Sequence, residues 1–265
     1  MQADDTAQTV SLHVADELAT ITLTRPDRNN VIDAQFGQEF RDIAIALMGD
    51  AGVRAILLRG EGANFCVGGD IRSFAREADL PVALRRMTLD FHAAMAILAR
   101  LDTPIVCAVQ GAAAGAGLAL AALSDYVIAE DTATFSFAYT KLGLTGDGGI
   151  TWLLPRLIGL RRFQALVLEG RSVDAAEALA MGLVSRIAGA DGAGVEAQAF
   201  ARELAAGPTR AYGMVRRLAQ SSFTQPFERQ LEDEAQAICR AAASADAQDA
   251  ITAFAARRKP VFKGR

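Results

Sequence analysis

The sequence has few of the residues that build metal and redox sites. Among its 265 residues there are two histidines and three cysteines. The histidines, His13 and His92, are not part of an HExxH pattern, and carboxylates do not cluster at ligand spacing, so we expect no metal site. Cys66, Cys107 and Cys239 are odd in number and lack CxxC spacing, which is typical of reduced thiols in a cytoplasmic protein.

Motifs that hold nucleotides or build a serine hydrolase are also missing. The GxxxxGKS/T loop and the GxSxG elbow do not occur in the chain. The segment Gly115-Ala116-Gly117 is followed by Leu-Ala-Leu, so it lacks the third glycine of a dinucleotide fingerprint. These absences argue against the usual phosphate loops and against a serine triad.

Neither the charge nor the hydropathy pattern indicates a nucleic-acid surface or a membrane span. The formal net charge is −4, whereas nucleic-acid surfaces are basic. No apolar stretch reaches about 18 residues, and residues 1–10 contain Asp4 and Asp5 but no apolar segment typical of signal peptides. We therefore expect a protein that binds no nucleic acid, is not secreted and does not span a membrane.

The pattern of apolar residues predicts an α/β body followed by helices. Hydrophobic residues make up 51% of the chain and aromatic residues 6%, which is ample for a core of small and aliphatic side chains. We predict a core in residues 1–200 and a helical subdomain in residues 201–265. Strands are predicted at 10–24 (a hairpin), 53–59, 104–110 and 126–130, and helices at 34–48, 118–123, 157–168, 174–181, 195–206, 208–220 and 226–243.

Two loops, each after a predicted buried strand, carry small residues that leave the backbone accessible. Their sequences are NFCVGGDI at residues 64–71 and VQGAAAGAG at residues 109–117. Glycine and alanine allow a ligand to approach peptide N–H groups, and the start of a helix directs such donors at a negative charge. Either loop alone is typical of a tight turn, but the two together predict a site for a carbonyl oxygen.

The two loops resemble the two signature segments of the crotonase (enoyl-CoA hydratase/isomerase) superfamily. FCVGGDI is similar to FSAGxDL, and PIVCAVQGAAAGAG at 104–117 is similar to PVIAAVNGxAxGGG. The resemblance continues through 135–159 and 178–184. It implies the crotonase fold, an α/β spiral of ββα units with a helical C-terminal subdomain. It also implies an oxyanion hole in which Gly69 and Ala116 each donate a backbone N–H to a thioester oxygen.

The acid–base residues of this family are distributed differently here. Members that add water to a double bond use two glutamates, and this chain has Ala119 and Tyr139 at those positions. The segment GLTGDGGITW, residues 143–152, is instead similar to GLxPDxGGTW of isomerase-type members such as epoxyphenylacetyl-CoA isomerases. The resemblance therefore implies an isomerase of fatty or aromatic acid catabolism, in which Asp147 moves a proton between carbons of an acyl group.

Three alternatives stay open. One is a hydratase that uses other groups in place of the glutamates. A second is a haloaromatic acyl-CoA dehalogenase, in which the aspartate is a nucleophile and His92 and Tyr139 occupy the positions of a helper histidine and a tryptophan. His92 is more typical of a structural helix histidine than of a chemical group, and Tyr139 can instead hydrogen-bond a substrate or pack. The third alternative, suggested by Ala119, is an acyl-CoA binder without catalysis.

The resemblance also implies where coenzyme A binds and how subunits assemble. The coenzyme is expected as part of the substrate, with no permanently bound cofactor, and Arg28 and Arg72 are expected to contact its phosphates. RKPVFKG at 258–264 resembles the family's RKPxFxG tail, which often reaches a neighbouring subunit's coenzyme site in a trimer or dimer of trimers. The predicted coenzyme-binding residues are Arg28, Val31, Val67, Gly68, Asp70, Ile71, Arg72, Phe262 and Lys263.

Overall fold

A six-stranded and a three-stranded sheet organise the chain in the computed structural model, which describes residues 8–264. Residues 1–7, on which most of the expectation about the N-terminal segment depends, lie outside the described residues, as does Arg265.

The strands are β1 Val10–Ala15, β2 Leu18–Leu23, β3 Ala55–Gly60, β4 Ile105–Val109, β5 Ala112–Ala114, β6 Tyr126–Ala129, β7 Thr134–Ser136, β8 Ser172–Asp174 and β9 Arg186–Ile187. The α-helices are α1 Ala34–Gly49, α2 Ile71–Phe74, α3 Leu80–Leu98, α4 Ala116–Leu123, α5 Ile150–Ile158, α6 Leu160–Glu169, α7 Ala175–Met181, α8 Ala193–Ala205, α9 Thr209–Ser221, α10 Phe227–Ala242 and α11 Ala245–Ala255. Short 3-10 helices cover Pro26–Arg28 and Tyr139–Leu142.

The main sheet is parallel except at one edge. Its strand order is β1-β2-β3-β4-β6-β9, and only the β1–β2 pairing is antiparallel among these described strands. The carboxyl ends of β3 and β4 therefore meet at the same edge, and both small-residue loops leave the sheet there. The second loop forms β5, which pairs with β7 in the smaller sheet β5-β7-β8.

Alternate residues of the central strands face two different cores. In β3, Ile56 and Leu58 belong to the larger core, which also contains the clustered rings of α1 and α3. Ala55 and Leu57 face the opposite side of the sheet, which α8 covers. The helix reaches the sheet closely because every fourth residue of its buried face is alanine, namely Ala193, Ala197, Ala201 and Ala205.

The N-terminal predictions are confirmed, whereas one predicted helix is wrong and one helix was missed. The hairpin forms β1 and β2, and α1 begins after Asp33, whose side chain accepts a hydrogen bond from the Phe36 N–H at 3.0 Å. The single helix predicted at 157–168 is wrong, because Gly159, at φ 82°, separates α5 from α6. Helix α3 was not predicted.

The predicted helical C-terminal region is present as α9 to α11, and the proposed boundary after residue 200 falls inside α8. None of the helices within residues 8–264 is long and apolar enough to cross a membrane.

Candidate active site

The two small-residue loops lie side by side because their backbones are hydrogen-bonded to each other. The Cys66 N–H donates to the Ala112 carbonyl at 3.1 Å, and the Ala114 N–H donates to the Cys66 carbonyl at 2.9 Å. Gly117 has no space for a side chain, since a Cβ built on it would overlap the carbonyl oxygen of Cys66. The first turn of α4 is thereby packed against the loop that follows β3.

Gly69 and Ala116 present N–H groups from neighbouring points of these loops. A Cβ built on Gly68, the residue before Gly69, would lie 3.3 Å from the Ala116 nitrogen. Neither N–H has a hydrogen-bond acceptor within the part of the chain that the structure describes. Ala116 is also the first residue of α4, where N–H groups lack partners in the helix and the positive dipole end lies. Two such donors can hold one carbonyl oxygen.

Both residues line a cavity of about 670 Å³ with mainly apolar walls. The size and character are typical of a small-molecule site. Asp147 is the only acidic residue among those described that line it. The apolar wall includes Ile71, Phe74, Leu84, Met87 and Leu142.

Asp147 is held by the side chain of Tyr139, which lines the same cavity. The Tyr139 hydroxyl donates a hydrogen bond to Oδ1 of Asp147. Burial of the phenol, followed by the negative charge of Asp147, raises the pKa of Tyr139 above its ordinary value. The phenol therefore remains a hydrogen-bond donor, and Oδ1 of the aspartate is occupied. The Tyr139 ring also lies against Gly115, where a Cβ would be 3.8 Å from the ring.

Ala119, one of the two positions at which the resemblance places a hydratase glutamate, does not line this cavity. Ala119 is fully buried in α4, and a Cβ built on Gly148 would be 3.0 Å from the Ala119 methyl group. Gly148 thus covers Ala119, and no second carboxylate faces the cavity among the described residues.

The structure does not bring His92 into the cavity with Asp147. The imidazole is exposed on α3 and lines a separate cavity of about 350 Å³. Its Nε2 accepts a hydrogen bond from the Gly148 N–H at 2.9 Å. His92 therefore contacts the backbone next to Asp147 rather than a group inside the main cavity.

The residues predicted to bind coenzyme A divide into cavity residues and structural residues. Val67 and Ile71 line the cavity. Asp70 is buried, pairs with Arg28 and caps α2 by accepting from the Arg72 N–H at 3.1 Å. The Arg72 side chain is exposed and has no acidic partner within residues 8–264. Of the two predicted phosphate ligands, it is the one whose guanidinium is not already paired.

Val31 is held by a residue that the sequence did not single out as a site residue. The carbonyl of Val31 accepts from the Arg25 guanidinium at 2.6 Å, and the same guanidinium pairs with Asp33 at 2.6 Å. Arg25 is buried. An arginine beside a proline turn gave no sign of this role in the sequence.

Phe262 and Lys263 lie away from the cavity of their own chain. The Phe262 carbonyl accepts from the buried Arg54 at 2.9 Å, and the Lys263 N–H donates to Asp246 at 2.8 Å. The tail is therefore docked on the helical region next to Arg54.

The cavity wall formed by α3 was missed. Leu84, Met87, Phe91 and Met95 recur at helical spacing, and this periodicity was the available signal for a helix. Leu84 and Met87 face the cavity.

Comparisons with known proteins agree over almost the whole chain. A family model described as enoyl-CoA hydratase/isomerase matches residues 14–265. The chain is 34% identical over 255 residues to 1,2-epoxyphenylacetyl-CoA isomerase of Escherichia coli (strain K12), with 96% of this chain and 97% of that protein covered. It is 32% identical over 231 residues to 4-chlorobenzoyl coenzyme A dehalogenase-2 of Arthrobacter sp, with 86% and 84% covered.

A solved structure supports the same assignment. The putative enoyl-CoA hydratase/isomerase from Mycobacterium abscessus has a TM-score of 0.92 and 36% sequence identity to this chain, and the match covers 97% of this chain and 100% of the other. The predicted α/β fold with a helical C-terminal region is confirmed. Together with the geometry of the two loops, these findings show that the chain belongs to the enoyl-CoA hydratase/isomerase (crotonase) family.

Proposed function

We propose that the chain is an acyl-CoA isomerase that moves a double bond, or rearranges a ring epoxide, in fatty or aromatic acid catabolism. The observation that carries this proposal is the single carboxylate of the cavity, Asp147, which lies in the same cavity as the donors Gly69 and Ala116. Moving a proton between two carbons requires one group that acts first as a base and then as an acid. Addition of water to a double bond ordinarily uses two acid–base groups.

In the proposed reaction, the thioester oxygen accepts hydrogen bonds from the N–H groups of Gly69 and Ala116. Asp147 removes a proton from C2 of a 3-enoyl thioester, and the electron pair of that C–H bond moves towards the carbonyl to form a dienolate. The protonated Asp147 then returns the proton to C4, which leaves the double bond between C2 and C3. No water is added, and the atoms of substrate and product balance.

The hydrogen bond from Tyr139 orients this carboxylate. Because Oδ1 of Asp147 accepts from the phenol, we propose that Oδ2 is the oxygen that carries the proton. The apolar wall of the cavity limits water near the enolate, which strengthens the hydrogen bonds to its oxygen.

Coenzyme A is proposed to enter as part of the substrate, without a further cofactor. Arg72 is exposed and is the proposed contact for a phosphate, whereas Arg28 serves chiefly to hold Asp70. We also propose that the chain assembles as a trimer or a dimer of trimers. The tail residues Phe262 and Lys263 do not line the cavity of their own chain, which supports a role for the tail at a neighbouring one.

Three alternatives have less support. A hydratase needs a second acid–base group, and Ala119 and Tyr139 stand where the glutamates are expected. A dehalogenase is favoured by the similarity to the Arthrobacter protein, but its helper histidine corresponds to His92, which lines a different cavity. A binder without catalysis gives no reason for a carboxylate beside the two donors.

The test is incubation of 3-enoyl- and 2-enoyl-CoA thioesters with the protein in deuterated water, followed by mass spectrometry and proton NMR. We expect double-bond migration without gain of water, and its loss in Asp147→Asn. Asp131→Asn, which changes an exposed aspartate in the turn after β6, is the matched control and should keep full activity. Gain of one water by the 2-enoyl thioester would show a hydratase, and unchanged activity in Asp147→Asn would refute the assigned base.

A further inference from the structure

A histidine outside the cavity contacts the backbone of the segment that carries Asp147. His92 is on α3, and its Nε2 accepts the Gly148 N–H at 2.9 Å. An imidazole nitrogen that accepts a hydrogen bond carries no proton, so this geometry requires the neutral ring with its proton on Nδ1. The contact reaches the residue directly after Asp147.

This hydrogen bond engages the N–H of the Asp147–Gly148 peptide group. The carbonyl of the same peptide group is also hydrogen-bonded. The carbonyl of Asp147 belongs to the same planar peptide group as the Gly148 N–H and points the opposite way. It accepts the Ile150 N–H at 3.1 Å. Because both polar groups of this peptide are engaged, the Cα of Asp147 and the direction of its side chain are constrained.

The segment that carries Asp147 needs such support because its glycines allow the backbone many conformations. Residues 143–149 contain four glycines, of which Gly143, Gly148 and Gly149 have φ values of 69°, 60° and 78°. Glycine loses much conformational freedom on ordering, so a glycine-rich segment is held by its contacts rather than by its own preference. Two side-chain contacts flank the aspartate here, Tyr139 on its carboxylate and His92 on the following amide.

The surroundings of His92 offer no chemical role of its own. Its cavity is lined by apolar and amide side chains, and the described residues that line it include no acid. The imidazole therefore has no carboxylate beside it among the residues of this cavity, and it does not line the cavity of Asp147. Met95, Leu123, Trp152 and Gln220 are among its neighbours there.

We propose that His92 is a positioning residue that holds the Asp147–Gly148 peptide from outside the active cavity and so keeps the carboxylate in its reactive orientation. The inference rests on the proposed function of Asp147. A misplacement of a reacting group by about 1 Å can cost on the order of a hundredfold in rate, so loss of one of two supports is expected to lower kcat by roughly tenfold.

Three variants test the proposal. His92→Leu removes the acceptor and replaces the imidazole by an apolar side chain of moderate size. His92→Gln keeps an acceptor oxygen at similar reach. Met95→Leu changes another residue of the same helix and cavity without touching the Gly148 N–H. We expect His92→Leu to lower kcat about tenfold with KM changed less than about twofold, and His92→Gln and Met95→Leu to stay near wild type.

A second measurement does not depend on turnover. Hydrogen–deuterium exchange should be faster at the Gly148 amide in His92→Leu than in the wild type, and slow again in His92→Gln. Unchanged exchange at this amide in His92→Leu, or equal activity of all three variants with wild type, overturns the positioning role. If Asp147→Asn keeps its activity, the proposed function fails instead, and the exchange data still decide whether His92 anchors the segment.

Discussion

The hydroxyl group of Tyr139 donates to Oδ1 of Asp147 across eight residues of chain, within the cavity that Gly69 and Ala116 also line. The tyrosine stands at a position where the family's hydratases have a glutamate. It replaces a proton-transferring group with one that holds a neighbouring carboxylate. In the proposed mechanism the chain therefore uses one acid–base group and one orienting group where a hydratase uses two acid–base groups.

Removing the Tyr139 hydroxyl should slow the reaction without unfolding the protein. A hydrogen bond to a charged group contributes about 1.5–3 kcal/mol, so we expect Tyr139→Phe to lower kcat by roughly ten- to hundredfold. Steady-state kinetics with the thioester that the wild type isomerises provides the measurement. Tyr126→Phe removes a hydroxyl from a ring packed on Phe200 and should leave kcat unchanged. Equal rates in both variants would mean that the phenol does not orient Asp147.

The N–H of Ala116 can be deleted with little expected disturbance of its helix. Ala116 is the first residue of α4 after Gly115, a position that accepts proline. Ala116→Pro removes one donor and should lower kcat by about 100- to 1,000-fold, whereas Ala116→Gly keeps the N–H and should retain most of the activity. Circular dichroism and thermal unfolding verify that both variants fold. A folded and fully active proline variant would exclude this N–H from catalysis.

The buried cysteines should be unreactive in the native protein. Burial raises the pKa of Cys66 to about 12 and also raises the pKa of Cys107. The thiolate is the nucleophile, and a raised pKa keeps the thiol protonated at pH 8. We expect iodoacetamide to label only Cys239, which is exposed, before denaturation, and all three cysteines after it.

Mass spectrometry of the labelled peptides provides the measurement. The Cys239→Ser variant is the control, because in its native state it should take up no label. Labelling of Cys66 in the native protein would contradict the prediction. It would show that the loop between β3 and α2 opens far enough to admit the reagent.

The motifs of the two loops were predictable because the function proposed for them uses the backbone, which requires small residues that are visible in the sequence. The pairing of the loops through Cys66 was not predictable, since hydrogen bonds between backbone groups leave no signal in the side chains. The same limit applies to Arg28. Its neighbours in the sequence gave no sign of an ion-pair partner, and in the structure it pairs with Asp70, which is 42 residues away.

The placement of His92 could not be predicted because α3 was not. His92 lies one helical turn after Thr88, which lines the cavity, yet its imidazole lines a different cavity and accepts the Gly148 N–H. Where along a helix a cavity ends depends on which segments pack against that helix, and the sequence alone does not show that packing.

The two donors of the candidate oxyanion hole are peptide groups, and this has a consequence for mutational surveys. Replacing every residue in turn by alanine would leave Ala116 untouched and would add a single methyl group at Gly69, near the movable ring of Phe74. Such a survey would detect Asp147 and Tyr139 and would pass over both N–H groups. Only changes to the main chain, such as proline or an ester in place of an amide, make these donors visible.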